Sequence, residues 1–200
     1  MDRRILVSLS NSVKVPLIVS WPGVIPAGQR CQHVVSALDV TATILDALGA
    51  PALPNSPGRS FLGLIDGPDS NDTAWDDVAF SEYCSDQFCP DGGCYQRMIR
   101  SGDWKLVYYH GQPPQLFNLS DDPEELIDRA DDANCRAILA ELTAQVLGDW
   151  DPDWVSAKMA AKKADVAILS AWTGNIQPHD LYRWPLEPEM NYLDDWREAK

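Results

Sequence analysis

Three cysteines at five-residue intervals, Cys84, Cys89 and Cys94 in "CSDQFCPDGGC", are the first residues whose type and spacing suggest chemistry. Thiolates so placed could hold zinc if a fourth ligand came from elsewhere, and Cys31 or His110 has the right chemistry. The competing reading is an insertion loop with free thiols. His110, after "WKLVYY", ends a strand-like run and is a candidate substrate contact, or else a simple turn histidine. Arg97 and Arg100 flank "MI" in "YQRMIRSG". They are candidate anion-binding groups, or structural ones if acids of the same sheet pair with them. Glu82 and Tyr83 close "SEY", where a buried Glu is expected to cap loop amides. The acidic run Asp121 to Glu125 is expected to be a solvated turn, since no other ligands converge on it in sequence.

The elements that must carry these residues are short. "VAFSEY", "YQRMIRSG", "WKLVYYH" and "QLFNL" are β-branched and aromatic runs separated by turn residues, which predicts an antiparallel meander. "RSGDWK" predicts a hairpin turn with Gly102 at positive φ. The run "NCRAILAELTAQVLGDW" is amphipathic, with Ile138, Leu142 and Val146 in line, and predicts a helix over one face of the meander.

Upstream, "VPLIVSW" reads as a strand over 15–21 of the kind buried on both faces of a parallel sheet, needing neighbours that the rest of the chain does not supply. "SALDVTATILDALGA" predicts a helix over 37–49, capped by Ser36 or Asp39 and stopped at Gly49, with Val40, Ile44, Leu45 and Leu48 as its apolar stripe. The Pro-, Gly- and Asp-rich stretch after it marks a boundary near residue 75. Downstream, "PDWVSAKMAAKKADVAILSAWTG" predicts a helix, and the last residues an extended tail. Trp172, Tyr182, Trp184, Tyr192 and Trp196 are too many large aromatics for a solvated segment. Three parts result: 1–75, 76–148 and 149–200.

Bulk properties restrict partners. The formal charge is −14, from 30 acidic against 16 basic residues, which disfavours nucleic acid or an anionic membrane surface. No apolar run approaches the ~20 residues needed to cross a bilayer, and "MDRRILVSLSNS" lacks the apolar core and cleavage site of a signal peptide. A cytoplasmic location is the default expectation. Five cysteines, an odd number, do not suggest a disulfide framework.

Taken in order, four segments resemble the sulfatase family. "SVKVPLIVSWPGVIPAG" at 12–28 is similar to that family's "S-x-R-V-P-L-I-V-R-W-P-G-x-I-x-x-G". "VVSALDVTATILDALGAP" resembles "V-S-x-x-D-x-x-P-T-L-L-D-x-A-G-x-P", and "GRSFLGLIDG" resembles "G-R-S-L-x-P-L-L-x-G". The block from "SEYCSD" through "QRMIRSGDWKLVYYHGQPPQLFNLSDDPEEL" resembles the C-terminal stretch, in a form nearer to choline-sulfatase-type members than to lysosomal ones. The resemblance covers roughly residues 12 to 128. It implies an α/β fold: the C-terminal part of an alkaline-phosphatase-like sulfatase, with an α+β antiparallel-sheet subdomain and an aromatic-rich tail.

The resemblance also implies sulfate ester hydrolysis by formylglycine and a divalent cation such as calcium. No Cys or Ser of this chain stands in C/S-x-P-x-R, and the family's early Asp pair and the Lys before "S-x-R-V-P" have no counterparts. Catalytic and metal residues are therefore expected to be none here, with low-level substrate contact at most from His110, Arg97 and Arg100. A segment inactive alone is the first expectation, a non-catalytic binding or assembly module the second, and a small zinc domain the third. The expected partners are a second copy or the N-terminal portion of a sulfatase.

Overall fold

The structure, a computed structural model, describes residues 10–65, 75–85 and 94–176. The chain divides into two compact units, Met1–Ser156 and Ala157–Lys200.

The centre of the first unit is a four-stranded antiparallel sheet in the order β1-β2-β3-β4, formed by Val78–Ser85, Cys94–Ser101, Trp104–Tyr109 and Gln115–Asn118. The four predicted runs are these four strands. Ser101 pairs with Trp104, so only Gly102 and Asp103 make the turn. Gly102 has φ +51°, which suits the first central position of a type II′ hairpin and which a β-carbon would oppose.

Side chains alternate between the two faces. One face carries Ile99, Leu106 and Leu116 under α4 (Arg136–Leu147), whose Leu142 and Val146 are fully buried. The predicted covering helix is therefore in place, although Ile138 does not join Leu142 and Val146 in the buried set. The other face buries Met98, Val107 and Tyr109, with Val13 of the short helix α1 (Ser10–Val13) packed on them.

Helix α2 (Ala37–Ala47) begins with a reciprocal cap: the Ser36 side chain accepts from Leu38 N, and Asp39 accepts from Ser36 N at 2.7 Å. Its buried face is polar, contrary to the expected apolar stripe. Asp39 also accepts from Arg59 N (2.9 Å), and the Thr43 hydroxyl accepts from Phe61 N (3.0 Å). These bonds seat residues 59–61 and the following turn of helix, α3 (Leu62–Ile65), on the helix. Ile44 and Leu48 face solvent instead, because no described element lies over them.

The strand expected at 15–21 is not formed. Residues 14–20 have no regular secondary structure, and Val15 and Ile18 are 72% and 91% exposed. The physical reason is the missing ladder: a strand needs a neighbour to accept its backbone bonds, and every described strand belongs to the meander. Hydrogen bonds and an ion pair join the segments on either side of residues 66–74. The Asp77 carboxylate accepts from Val34 N (2.8 Å) and meets His33 Nδ1 (3.0 Å), while Trp75 Nε1 donates to Val34 O (2.9 Å). Arg59 lies over the Trp75 ring and pairs with Asp76 at 3.0 Å.

Helix α5 (Pro152–Ile176) matches the expected helix. Among the described residues no helix is long and apolar enough to cross a membrane. Tyr182, Trp184, Tyr192 and Trp196 lie outside the described residues, as does Cys89.

Candidate functional site

Arg97, on the central strand β2, sits on the face that α4 covers. Its buried guanidinium lies 4.3 Å over the Phe80 ring, with Nε 3.2 Å from Glu82 of β1. Nη1 donates to Val146 O (2.9 Å) and to the Asp149 carboxylate just beyond α4. A guanidinium is suited to this, because its planar fork serves several acceptors at once. The Arg97 hydrogen bonds hold the Asp149 carboxyl below its usual range. Directly across the ladder from Arg97, Tyr108 meets Trp150 edge to face at 6.0 Å. His110 follows, with Nε2 3.3 Å from Asp153 and its ring edge-on to Tyr95. Arg97, Tyr108 and His110 thus form a row that receives Asp149, Trp150 and Asp153. The row fixes the junction between α4 and α5 on the sheet.

Arg100 is three residues from Arg97 and so lies on the opposite face. Its Nε donates to Gly102 O at 2.5 Å. Burial pulls its pKa down, against the attraction of Asp103, Glu125 and Asp77. The three predicted anion-binding candidates are therefore not brought together: Arg97 and His110 share a face, each already facing an acid of this chain, and Arg100 is on the other.

Cys84 and Cys94 do not converge either. Cys84 pairs across the ladder with Tyr95, and Ser85 with Cys94, so Cys84 and Cys94 point to opposite faces of the sheet. Burial, and secondarily the charge of Glu82, pushes the Cys84 thiol pKa up, away from the thiolate that a metal requires. Among the described residues no group of three His, Cys, Asp or Glu side chains could hold a metal ion. The donor sets of the described residues do not fit the divalent cation that the resemblance implies.

The acidic turn holds a site that sequence reasoning missed. Glu125 adopts φ +58° and turns its carboxylate inward, where it accepts from Lys105 Nζ (2.7 Å), Ser10 N (3.0 Å) and the Ser10 hydroxyl. The Lys105 and Glu125 side chains are 1% and 2% exposed. Burial alone would raise the Glu125 pKa, but the bonds from Lys105 and Ser10 outweigh it, and the net shift is downward. Lys105 is shifted down as well, by burial that the Glu125 bond only partly offsets. Asp122 is also buried and accepts from Ile127 N at 2.8 Å. The expected solvated turn is half structural. The signal in sequence was Lys105 itself, a charged residue between Trp104 and Leu106 in a strand buried on both faces.

Beside β1 lies an open groove of about 440 Å³, lined by Asp76, Val78, Phe80, Gln145, Gly148 and Asp149. It runs between the outer strand of the sheet and the C-terminal end of α4.

The profile of the N-sulphoglucosamine sulphohydrolase C-terminal family matches residues 1–149. Arylsulfatase K of Mus musculus is 35% identical over 122 residues, 60% of this chain and 22% of that protein. The choline-sulfatase of Rhizobium meliloti is 32% identical over 137 residues, 67% of this chain and 25% of that protein. The crystal structure of the phosphonate monoester hydrolase of Agrobacterium radiobacter overlays 61% of this chain and 26% of its own, with 27% identity and a TM-score of 0.49. The chain thus spans about a quarter of the length of these relatives.

Proposed function

Since the chain belongs to the sulfatase family, in the part that its C-terminal profile describes, we propose that it is the C-terminal part of a sulfuric ester hydrolase and supplies none of the bond-making groups. The observation that carries this reading is the unbroken order of family segments from "SVKVPLIV" to "DDPEEL", with no C/S-x-P-x-R among them. Formylglycine and the cation, which polarise the sulfate and make the nucleophile in such chemistry, would then come from residues outside this chain. What this chain supplies is a supporting sheet, with α4 and its junction to α5 fastened by Arg97. Any substrate contact would fall to His110, whose half-exposed ring stands at the end of β3.

Association belongs to the same proposal, with a second copy or with the N-terminal portion of a sulfatase. It is supported by the exposed Ile168, Leu169 and Trp172 of α5, a larger apolar surface than a solvated helix usually shows. The test of the main reading is an aryl sulfate assay on the purified 200-residue chain, with and without calcium or manganese. No hydrolysis above buffer is expected. Metal-dependent turnover that follows the protein through successive columns would overturn it.

A further inference from the structure

The two edges of the sheet are finished differently. At β4 the outward groups of Leu116 are taken: its N–H donates to the Asp128 carboxylate (3.1 Å) and its carbonyl accepts from Arg129 N (2.8 Å). At β1 no described strand lies outside. The register tells which backbone groups that leaves. Gly102 N donates to Asp77 O (3.0 Å), so Asp77, Ala79, Ser81 and Tyr83 bond inward to β2, and the N–H and C=O of Val78, Phe80 and Glu82 point outward.

Two of these residues, Val78 and Phe80, also line the groove with their side chains. Val78 and Phe80 form one wall, and Gln145, Gly148 and Asp149 at the end of α4 form the other. The charges displayed there are acidic. Asp76 and Asp149 are 71% and 73% exposed, with Glu82 next along the strand, whereas Arg97, which binds Asp149 and Glu82, is buried beneath Phe80. Arg59 reaches Asp76 from beyond the groove, over Trp75. The carbonyl end of α4 adds partial negative charge on the same side.

We propose that β1 and this groove form a docking site for an extended peptide segment of a partner protein, which adds as a fifth strand and carries basic and apolar side chains alternately on its groove-facing side. Main-chain pairing supplies the attachment and the groove selects the side chains, the logic of β-strand addition. Phe80 and Val78 receive the apolar side chain, and Asp76 and Asp149 the basic one. A second copy of β1 fits worse. On the same face a second β1 carries Val78, Phe80 and Glu82, so it brings no base to Asp76 and Asp149 and adds another acid.

The inference is independent of the hydrolytic reading, which the aryl sulfate assay tests separately. The probe is the fluorescein-labelled peptide RTVTRTVT, titrated into the full chain and followed by anisotropy. Saturable binding is expected, weakened about tenfold or more when Glu replaces Arg in the peptide, and by a similar factor in the surface variant Asp76→Arg. Two further peptides carry N-methyl groups on alternate amides, offset by one residue. Only one of the two should lose binding, because only one set of amides faces β1. The proposal is overturned if no saturation occurs below ~1 mM, the weak end of useful affinities. Equal binding of the Glu peptide, or two methylated peptides that bind alike, would overturn it as well.

Discussion

The buried cluster of Ser10, Lys105 and Glu125 makes a quantitative prediction possible, because its members report opposite balances. Glu125 has its pKa lowered, so the carboxylate is better accommodated in the fold than in water. Lys105 also has its pKa lowered, so the ammonium is worse accommodated, burial outweighing its partner. The favourable half of the pair thus rests on Lys105 already being there. Replacing Glu125 with Gln leaves an ammonium that is 1% exposed without its countercharge, a change that costs about 3–5 kcal/mol when a buried pair is broken from one side. For a unit of this size that is a fall in Tm of roughly 10 °C. Replacing both residues, Lys105→Met with Glu125→Gln, removes both buried charges while leaving Ser10 an amide oxygen to donate to, and should return most of the loss, to within ~1 kcal/mol of the parent. The assay is urea unfolding followed by circular dichroism for the parent, the two single variants and the double. A Glu125→Gln loss under ~1 kcal/mol, or a double variant as unstable as the sum of the singles, would refute the reasoning.

Acidification should act on the same cluster. With the folded pKa of Glu125 below its unfolded value, its stabilisation is complete above the unfolded value near 4.3 and is lost as pH falls through the folded one; the excess acid sensitivity should vanish in Glu125→Gln. Arg97→Ala should cost about 1–3 kcal/mol, chiefly by leaving the buried Val146 O without its donor, and should raise the proteolytic susceptibility of the Asp149–Asp153 junction. Leu142→Ala, at a fully buried position under the sheet, should cost about 2–5 kcal/mol in the same unfolding assay. Hydrogen exchange should be near the intrinsic rate at residues 16–20 and slow at 104–109. Comparable protection at both would mean that the apolar stretch after Val15 has found partners not described here.

The meander was legible because each of its segments is short, alternates, and ends at a turn residue with one conformational job, Gly102 most clearly. The stretch at 15–21 was legible as apolar and β-branched, yet composition states only that a segment would suit a strand. Whether it becomes one depends on a neighbour with free backbone groups, and that is a property of the whole fold. The same distinction explains α2. Val40, Ile44, Leu45 and Leu48 fall on a helical stripe, but Asp39 and Thr43 have the amides of Arg59 and Phe61 to satisfy. The bonds to those two amides hold Asp39 and Thr43 inward, and the polar side of α2 is the buried one.

The candidate site was harder to read for a related reason. Arg97, Arg100 and His110 are conspicuous by type, and type suggests an external anion. The alternation of a strand already separates Arg97 from Arg100, and that much was available from spacing alone. Their acceptors were not, since Asp149 and Val146 lie about fifty residues from Arg97 and meet it only once α4 has crossed the sheet. The groove beside β1 was invisible for the opposite reason: its attraction lies in backbone groups that every strand possesses. What distinguishes Val78, Phe80 and Glu82 is the parity of their bonds to β2, set by Gly102 meeting Asp77, and the end of a helix brought alongside. A one-residue shift of that register would turn Val78 and Phe80 to the other face and point Ala79 and Ser81 at the groove. The docking surface therefore stands or falls with the alternation of β1 against β2. A variant with Ala inserted between Ala79 and Phe80 puts Val78 and Phe80 on opposite faces and should lose the peptide binding that the parent shows, and retained binding would place the peptide elsewhere.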